Sequence, residues 1–267
     1  MDYRLLAKDL SPRAEARLRV VGLLVALSCV SAVALVGYGL YRTGELDAAR
    51  WQIFAHAATW KFLAIGLWNT VRVAIADLVF SMTLGAAVAM AQTSRNDALR
   101  LIGGAYAEGF RAIPTLLMIL FCFFGLPLLG VGVTPFWAIV IGSGLYNSAA
   151  LSNIFKSGIL TIDRGQSEAA YSLGVARKDV MTGIIWPQAL RRMRPSIVAQ
   201  CVVLFKDSSL GFVIGYEEVL RRSQEIGTFT SSSLQPYVVG GCIYIVVIYL
   251  LRRFTGQGSQ EIDESAA

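Results

Sequence analysis

The stretch that decides how this chain is read runs from Asp163 to Ser196: DRGQSEAAYSLGVARKDVMTGIIWPQALRRMRPS. It is polar and basic and lies between two apolar runs. Its landmarks are Glu168-Ala169-Ala170, then Gly174, Ile184 and Pro187, a spacing of EAA-x3-G-x9-I-x-x-P. Asp163 and Gln166 stand at the offset of a capping box, which predicts a helix from about Arg164. Glu168 falls in its first turns, where the helix dipole favours a carboxylate. Ala169 and Ala170 are small enough to admit another surface at close range. Gly174 adopts positive φ without strain and is expected to end the helix. A second helix is expected from about Lys178 to Ile185, with Pro187 breaking it or starting the next. Such a pair, crossing the end of an apolar bundle, can pass rigid-body motion from a soluble body into the membrane. An amphipathic loop lying on anionic lipid is the plainer reading, and its basic residues fit either one.

The rest of the chain is apolar. Of its 267 residues 55% are hydrophobic and only 16% charged, against about 25% charged in an ordinary soluble domain. The apolar residues cluster in runs long enough to cross a bilayer, which takes about 20 of them. Six spans are expected, near residues 20–41, 67–91, 114–129, 135–155, 197–216 and 237–251. The third is short and carries Pro114 and Pro127 near its ends, so it is expected to tilt or to be shielded by neighbours. The first has a basic front, but its apolar stretch exceeds the roughly 7–15 residues of a signal peptide core, and it is read as a retained span. The fold class is therefore an all-α integral membrane protein of one domain. It comprises a basic segment 1–19, a six-span domain 20–252 that includes the 163–196 loop, and a polar tail 253–267 expected to be disordered.

A net charge of +6 invites a nucleic-acid reading, but the distribution of the charges favours membrane orientation instead. With the N-terminus inside, the inner segments hold 17 Lys and Arg residues, among them Arg13, Arg95, Arg111, Lys178, Arg192 and Arg253. The outer segments hold 5: Arg42, Arg50, Lys61, Arg221 and Arg222. Both termini and the 163–196 loop are thus expected in the cytoplasm of a cell bounded by this plasma membrane.

Catalytic and metal chemistry find little support. The single histidine, His56, cannot furnish a metal site or a triad. Cys29, Cys122, Cys201 and Cys242 lie singly in apolar runs and are read as small buried hydrophobes. There is no H-E-x-x-H, and no G-x-x-x-x-G-K-[ST] loop with which the chain itself could hydrolyse ATP.

The spacing at Glu168, Ala169, Ala170, Gly174, Ile184 and Pro187 resembles the cytoplasmic coupling loop of permease subunits of ATP-driven, binding-protein-dependent importers. Further stretches extend the resemblance to the polar amino acid branch, and within it to glutamate/glutamine-type permeases. They are Arg111 to Leu117 (RAIPTLL), Lys206 to Leu210 (KDSSL), Asn69-Thr70, and Asn147 to Ile159 (NSAALSNIFKSGI). Trp186 stands where the family usually has Leu, Asn153 where it has Glu, and Lys156 where it has Arg.

The resemblance implies a type I ABC importer permease fold and no cofactor on this chain, with ATP and Mg on a partner ATPase. It further implies an ATP-binding cassette dimer beneath, a second permease subunit (a related chain or a copy of this one) and an external amino acid binding protein. Asn69, Thr70, Asn153, Lys206, Asp207, Ser208 and Ser209 become candidates for the substrate route. Loss of a carboxylate at 153 favours an acidic or neutral amino acid, unless Asn153 faces the cytoplasm and touches no substrate. Lys206 and Asp207 are read either as lining the route or as a local ion pair or interhelical hydrogen bonds that set the fold. Asp77 needs a partner or water. Gly211 and Gly215 form a G-x-x-x-G suited to close helix packing.

Overall fold

The computed structural model describes residues 12–254. The expected basic segment up to residue 11 and the tail beyond Phe254 lie outside the described residues. The described residues divide into two compact units, one ending at Ala55 and one beginning at His56. The first holds α1 (Pro12–Arg42), of which Val20–Arg42 is apolar enough to cross a membrane. A turn follows in which Arg50 pairs with Glu45 at 2.6 Å.

The second unit is also helical, with no strand among the described residues. It contains α2 (Ala57–Gln92), α3 (Asp97–Ala112) and α4 (Thr115–Leu128). These are followed by α5 (Pro135–Leu160), α6 (Arg164–Ser172), α7 (Arg177–Ile214), α8 (Val219–Thr230) and α9 (Leu234–Phe254). Five of the six expected spans coincide with single helices (α1, α2, α5, α7 and α9). The third does not. At about 1.5 Å per residue, α4 alone is too short for a core of about 30 Å. α3 precedes it at a bend of 97°. Residues 97–112, expected as a connection, thus form a helix of their own ahead of that bend. Pro114 sets the break, because it disfavours helical backbone at Ile113, which is extended at φ −93° and ψ 128°.

α5 is the central helix, with 67% of its span buried against 33% for α2 and 17% for α9. Small residues make this closeness possible. A Cβ on Gly142 would lie 2.6 Å from the Ile119 backbone of α4, and one on Gly85 would lie 2.9 Å from the Ser148 carbonyl oxygen. One apolar cluster lies toward the 163–196 end, around Leu151, Phe155, Ala170, Val180 and Ala189. A second gathers Val73, Ile119, Ala138, Ile139 and Tyr216.

Two of the prolines within helices, Pro187 and Pro127, follow one rule. Val180–Ile185 is π-helical and is followed by Pro187 in the first turn of Trp186–Asp207. Phe121–Gly125 is likewise π-helical and precedes Pro127. A proline lacks its N–H and clashes with the carbonyl four residues earlier, and the wider π-turn relieves both problems. Pro187 therefore starts a new α-helical stretch without breaking the path, and the second helix runs on through the fifth span.

Two other expectations change. Gly211 and Gly215 do not form a helix-packing stripe, because α7 turns 3-10 at Ser208–Ile214. Gly211 fits against Ile139, and Gly215 ends the segment at φ 76°. Of the four cysteines only Cys122 is buried; Cys201 is half-buried, and Cys29 and Cys242 are exposed.

Candidate functional site

The predicted coupling residues occupy one compact element. Asp163 caps α6 by accepting from the Gly165 N–H at 2.7 Å. The helix ends in a Schellman motif. The Val175 N–H donates to the Ala170 carbonyl at 3.1 Å, and the Gly174 N–H donates to that of Tyr171 at 2.9 Å. Gly174 has φ 74°, a conformation that penalises any side chain with a Cβ. Ala170 is 5% exposed and packs into the first apolar cluster, while Glu168 and Ala169 are exposed beside it. Ile184, in the π-turn, packs against the same cluster, and Pro187 is exposed. The element is thus pinned to the bundle by Ala170 and Ile184 and offers Glu168 and Ala169 outward.

The candidates for the substrate route fall in three groups, two of which meet at Tyr244, reached by both Thr70 and Ser208. Asn69 and Thr70 tie α2 to the start of α8. Asn69 Nδ2 donates to the Glu217 carbonyl at 2.9 Å, and the Thr70 hydroxyl accepts from the Val219 N–H at 3.3 Å. Next to them Glu218 caps α8, accepting from the Leu220 and Arg221 N–H groups at 2.7 Å each and from the Tyr244 hydroxyl at 2.9 Å. Burial pushes its carboxyl above the ordinary range, and those three donors pull it partly back. Arg222 lies over the Phe62 ring at 4.0 Å and pairs with Glu217.

Lys206, Asp207, Ser208 and Ser209 lie where α7 passes from α to 3-10 geometry. Lys206 is exposed, and no ion pair joins it to Asp207 among the described residues. The Ser208 and Ser209 hydroxyls donate to the carbonyls of Phe205 and Lys206. Asp207 instead joins a buried polar seam that crosses three helices. Asn147 Nδ2 donates to Ser143 Oγ at 2.9 Å and reaches Asp207 Oδ2 at 3.4 Å, while Asn147 Oδ1 accepts from Gln200 Nε2 at 2.7 Å. Ser143 Oγ donates to Asp77 Oδ2 at 2.6 Å, and Ser81 Oγ donates to Asp77 Oδ1 at 2.8 Å. Asp77, 1% exposed, thus has its partners inside the bundle. Ser143 and Gln200 were not singled out from the sequence, although Ser143–Asn147 and Asp77–Ser81, each four residues apart on one helix face, are a usable signal.

Asn153 lies apart, at the end nearer α6. It lines a cavity of about 730 Å³ with Arg111 from α3, Ser157 and Thr161 from α5 and its C-cap, and Arg192 and Ser196 from α7. Arg192 donates to the Thr161 carbonyl at 2.6 Å. Two guanidinium groups and no carboxylate line this cavity. No group of three or more potential metal ligands occurs among the described residues.

The family model of the binding-protein-dependent transport system inner membrane component matches residues 81–258. The chain belongs to that family. It is 32% identical over 212 residues to the glutamate transport system permease protein GluD of Corynebacterium glutamicum, covering 78% of each chain. It is 34% identical over 191 residues to the arginine transport system permease protein ArtQ of Bacillus subtilis, covering 71% of this chain and 87% of the relative. Among solved structures it resembles that of an amino acid ABC transporter with histidines, at TM-score 0.70 and 25% identity over 78% of this chain and 97% of that one. The chain is therefore a multi-pass inner-membrane permease subunit of the type I importer fold. It is not an enzyme: ATP hydrolysis belongs to a separate partner, and members of this family work with an ATPase and a substrate-binding protein.

Proposed function

We propose that this chain, as a permease subunit of an amino acid ABC importer, passes an acidic or neutral amino acid of the glutamate/glutamine class. The observation that carries the reading is the basic cavity at Asn153, which stands at the α6 end of the bundle as the inner mouth of the route. Arg111 and Arg192 make it electropositive, and the amide of Asn153 stands where a carboxylate would attract a cationic substrate. The similarity to a glutamate permease agrees with this, and the similarity to an arginine permease supplies the alternative to be tested. In this reading a second permease subunit, a related chain or a second copy, completes the route, and an external binding protein delivers the amino acid. Both termini lie in the cytoplasm, as the Lys and Arg asymmetry suggests. ATP and Mg are held by an ATPase dimer, which engages Glu168, Ala169 and the turn at Gly174, so that its closure moves α5 and α7 through Ala170, Ile184 and Pro187.

Uptake by the assembled importer in vesicles, with its matching binding protein, tests the substrate class. Labelled glutamate or glutamine is expected to enter in preference to arginine and lysine. Arg111→Gln is expected to reduce glutamate uptake by about tenfold, because it removes a cation from the cavity that attracts the substrate. A native preference for arginine or lysine contradicts the reading.

A further inference from the structure

A second basic cavity, of about 500 Å³, opens at the same end of the bundle and is separate from the one at Asn153. Its walls come from the last turn of α2 and the residues after it (Met90, Ser94, Arg95) and from the start of α7 (Arg177, Lys178, Met181). Three cations therefore converge where the apolar helix α2 ends. None of the three forms an ion pair among the described residues, and Asp97, close to Arg95 in sequence, is taken by Arg100. Ser94 Oγ accepts from the Asn96 N–H at 3.1 Å, which leaves its own proton free to donate. Met90 and Met181 are flexible, polarisable and apolar, one exposed and one half-buried.

We propose that this cavity binds the phosphate of an anionic phospholipid, with the head in the Arg95, Arg177 and Lys178 cluster and an acyl chain along Met90 and Met181. Basic pockets at helix ends on one face of a membrane protein hold such headgroups by charge, and the apolar wall selects a lipid over a soluble anion. Because Arg177 and Lys178 begin the helix that carries Ile184 and Pro187, the bound lipid braces the coupling element. The site is independent of which amino acid is carried.

The test uses the assembled importer purified from membranes containing phosphatidylglycerol and phosphatidylcholine. The phosphatidylglycerol retained per permease after detergent exchange is measured by mass spectrometry. The native complex is expected to retain phosphatidylglycerol in preference to phosphatidylcholine. Arg95→Gln, which lies outside the 163–196 segment, is expected to lower that preference about fivefold, and Arg95→Lys to restore most of it. Equal retention by native and Arg95→Gln complexes overturns the proposal. Displacement of the lipid by inorganic phosphate at equal concentration also overturns it, marking a soluble-anion site. Loss of the ATPase from the Arg95→Gln complex overturns it too, marking this face as a protein contact.

Discussion

The 163–196 element and the Asp77–Asn147–Asp207 seam lie in the same bundle and are built on opposite logic. The first exposes its distinctive residues and keeps its form through the backbone, by the Asp163 cap, the left-handed Gly174 and a π-turn ahead of Pro187. The second buries Asp77, Ser143 and Asn147, with Gln200 and Asp207 half-buried at its edge, and keeps its form through side chains that satisfy one another across α2, α5 and α7. A surface that must meet a partner keeps its side chains free and fixes its shape by turns. A seam in a low-dielectric interior leaves few polar atoms unbonded, since each stranded one is costly. Damage should therefore separate the two: the seam fails by loss of stability, the element by loss of coupling with the fold intact.

The largest stability effect is expected at the hub of the seam. Asn147→Leu keeps the branching but adds bulk and removes the bonds to Ser143 Oγ, Gln200 Nε2 and Asp207 Oδ2, with an expected loss on the order of 3 kcal/mol. Thermal unfolding of the purified subunit measures it, and transport should fall only in step with folded protein. Glu168→Gln sits at the other extreme. The side chain is exposed, so stability is expected to change by less than about 0.5 kcal/mol, while uptake driven by ATP falls. If Glu168→Gln destabilised the subunit and Asn147→Leu did not, the contrast between the two regions would be void.

The same contrast explains what the sequence disclosed. Backbone signals are local, so the cap at Asp163, the stop at Gly174 and the small Ala169-Ala170 pair were legible as spacing. Apolar length disclosed five spans directly. The α3–α4 bend was not legible because α3 is amphipathic and reads as a connection, and its 97° angle to α4 is set by packing. The seam was only half legible. Asp77 announced itself as a charge at bilayer depth, but a serine or amide in a helix carries no sign of its partner 60 or more residues away, as Asn147 to Asp207 and Asp77 to Ser143 are. Lys206 and Asp207 show the limit: neighbours in sequence, they point apart on a helix, and Asp207 found Asn147 while Lys206 stayed exposed.

Gly174 tests the coupling claim most directly, because its role rests on backbone geometry and no side-chain contact. Binding-protein-stimulated ATP hydrolysis would be measured in the reconstituted importer carrying Gly174→Val or Gly174→Asn. Valine is strained at φ 74° by about 1–2 kcal/mol, which should misshape the turn and abolish stimulation while the complex stays assembled. Asparagine tolerates that region and should keep much of the stimulation. Full stimulation with valine would contradict the account.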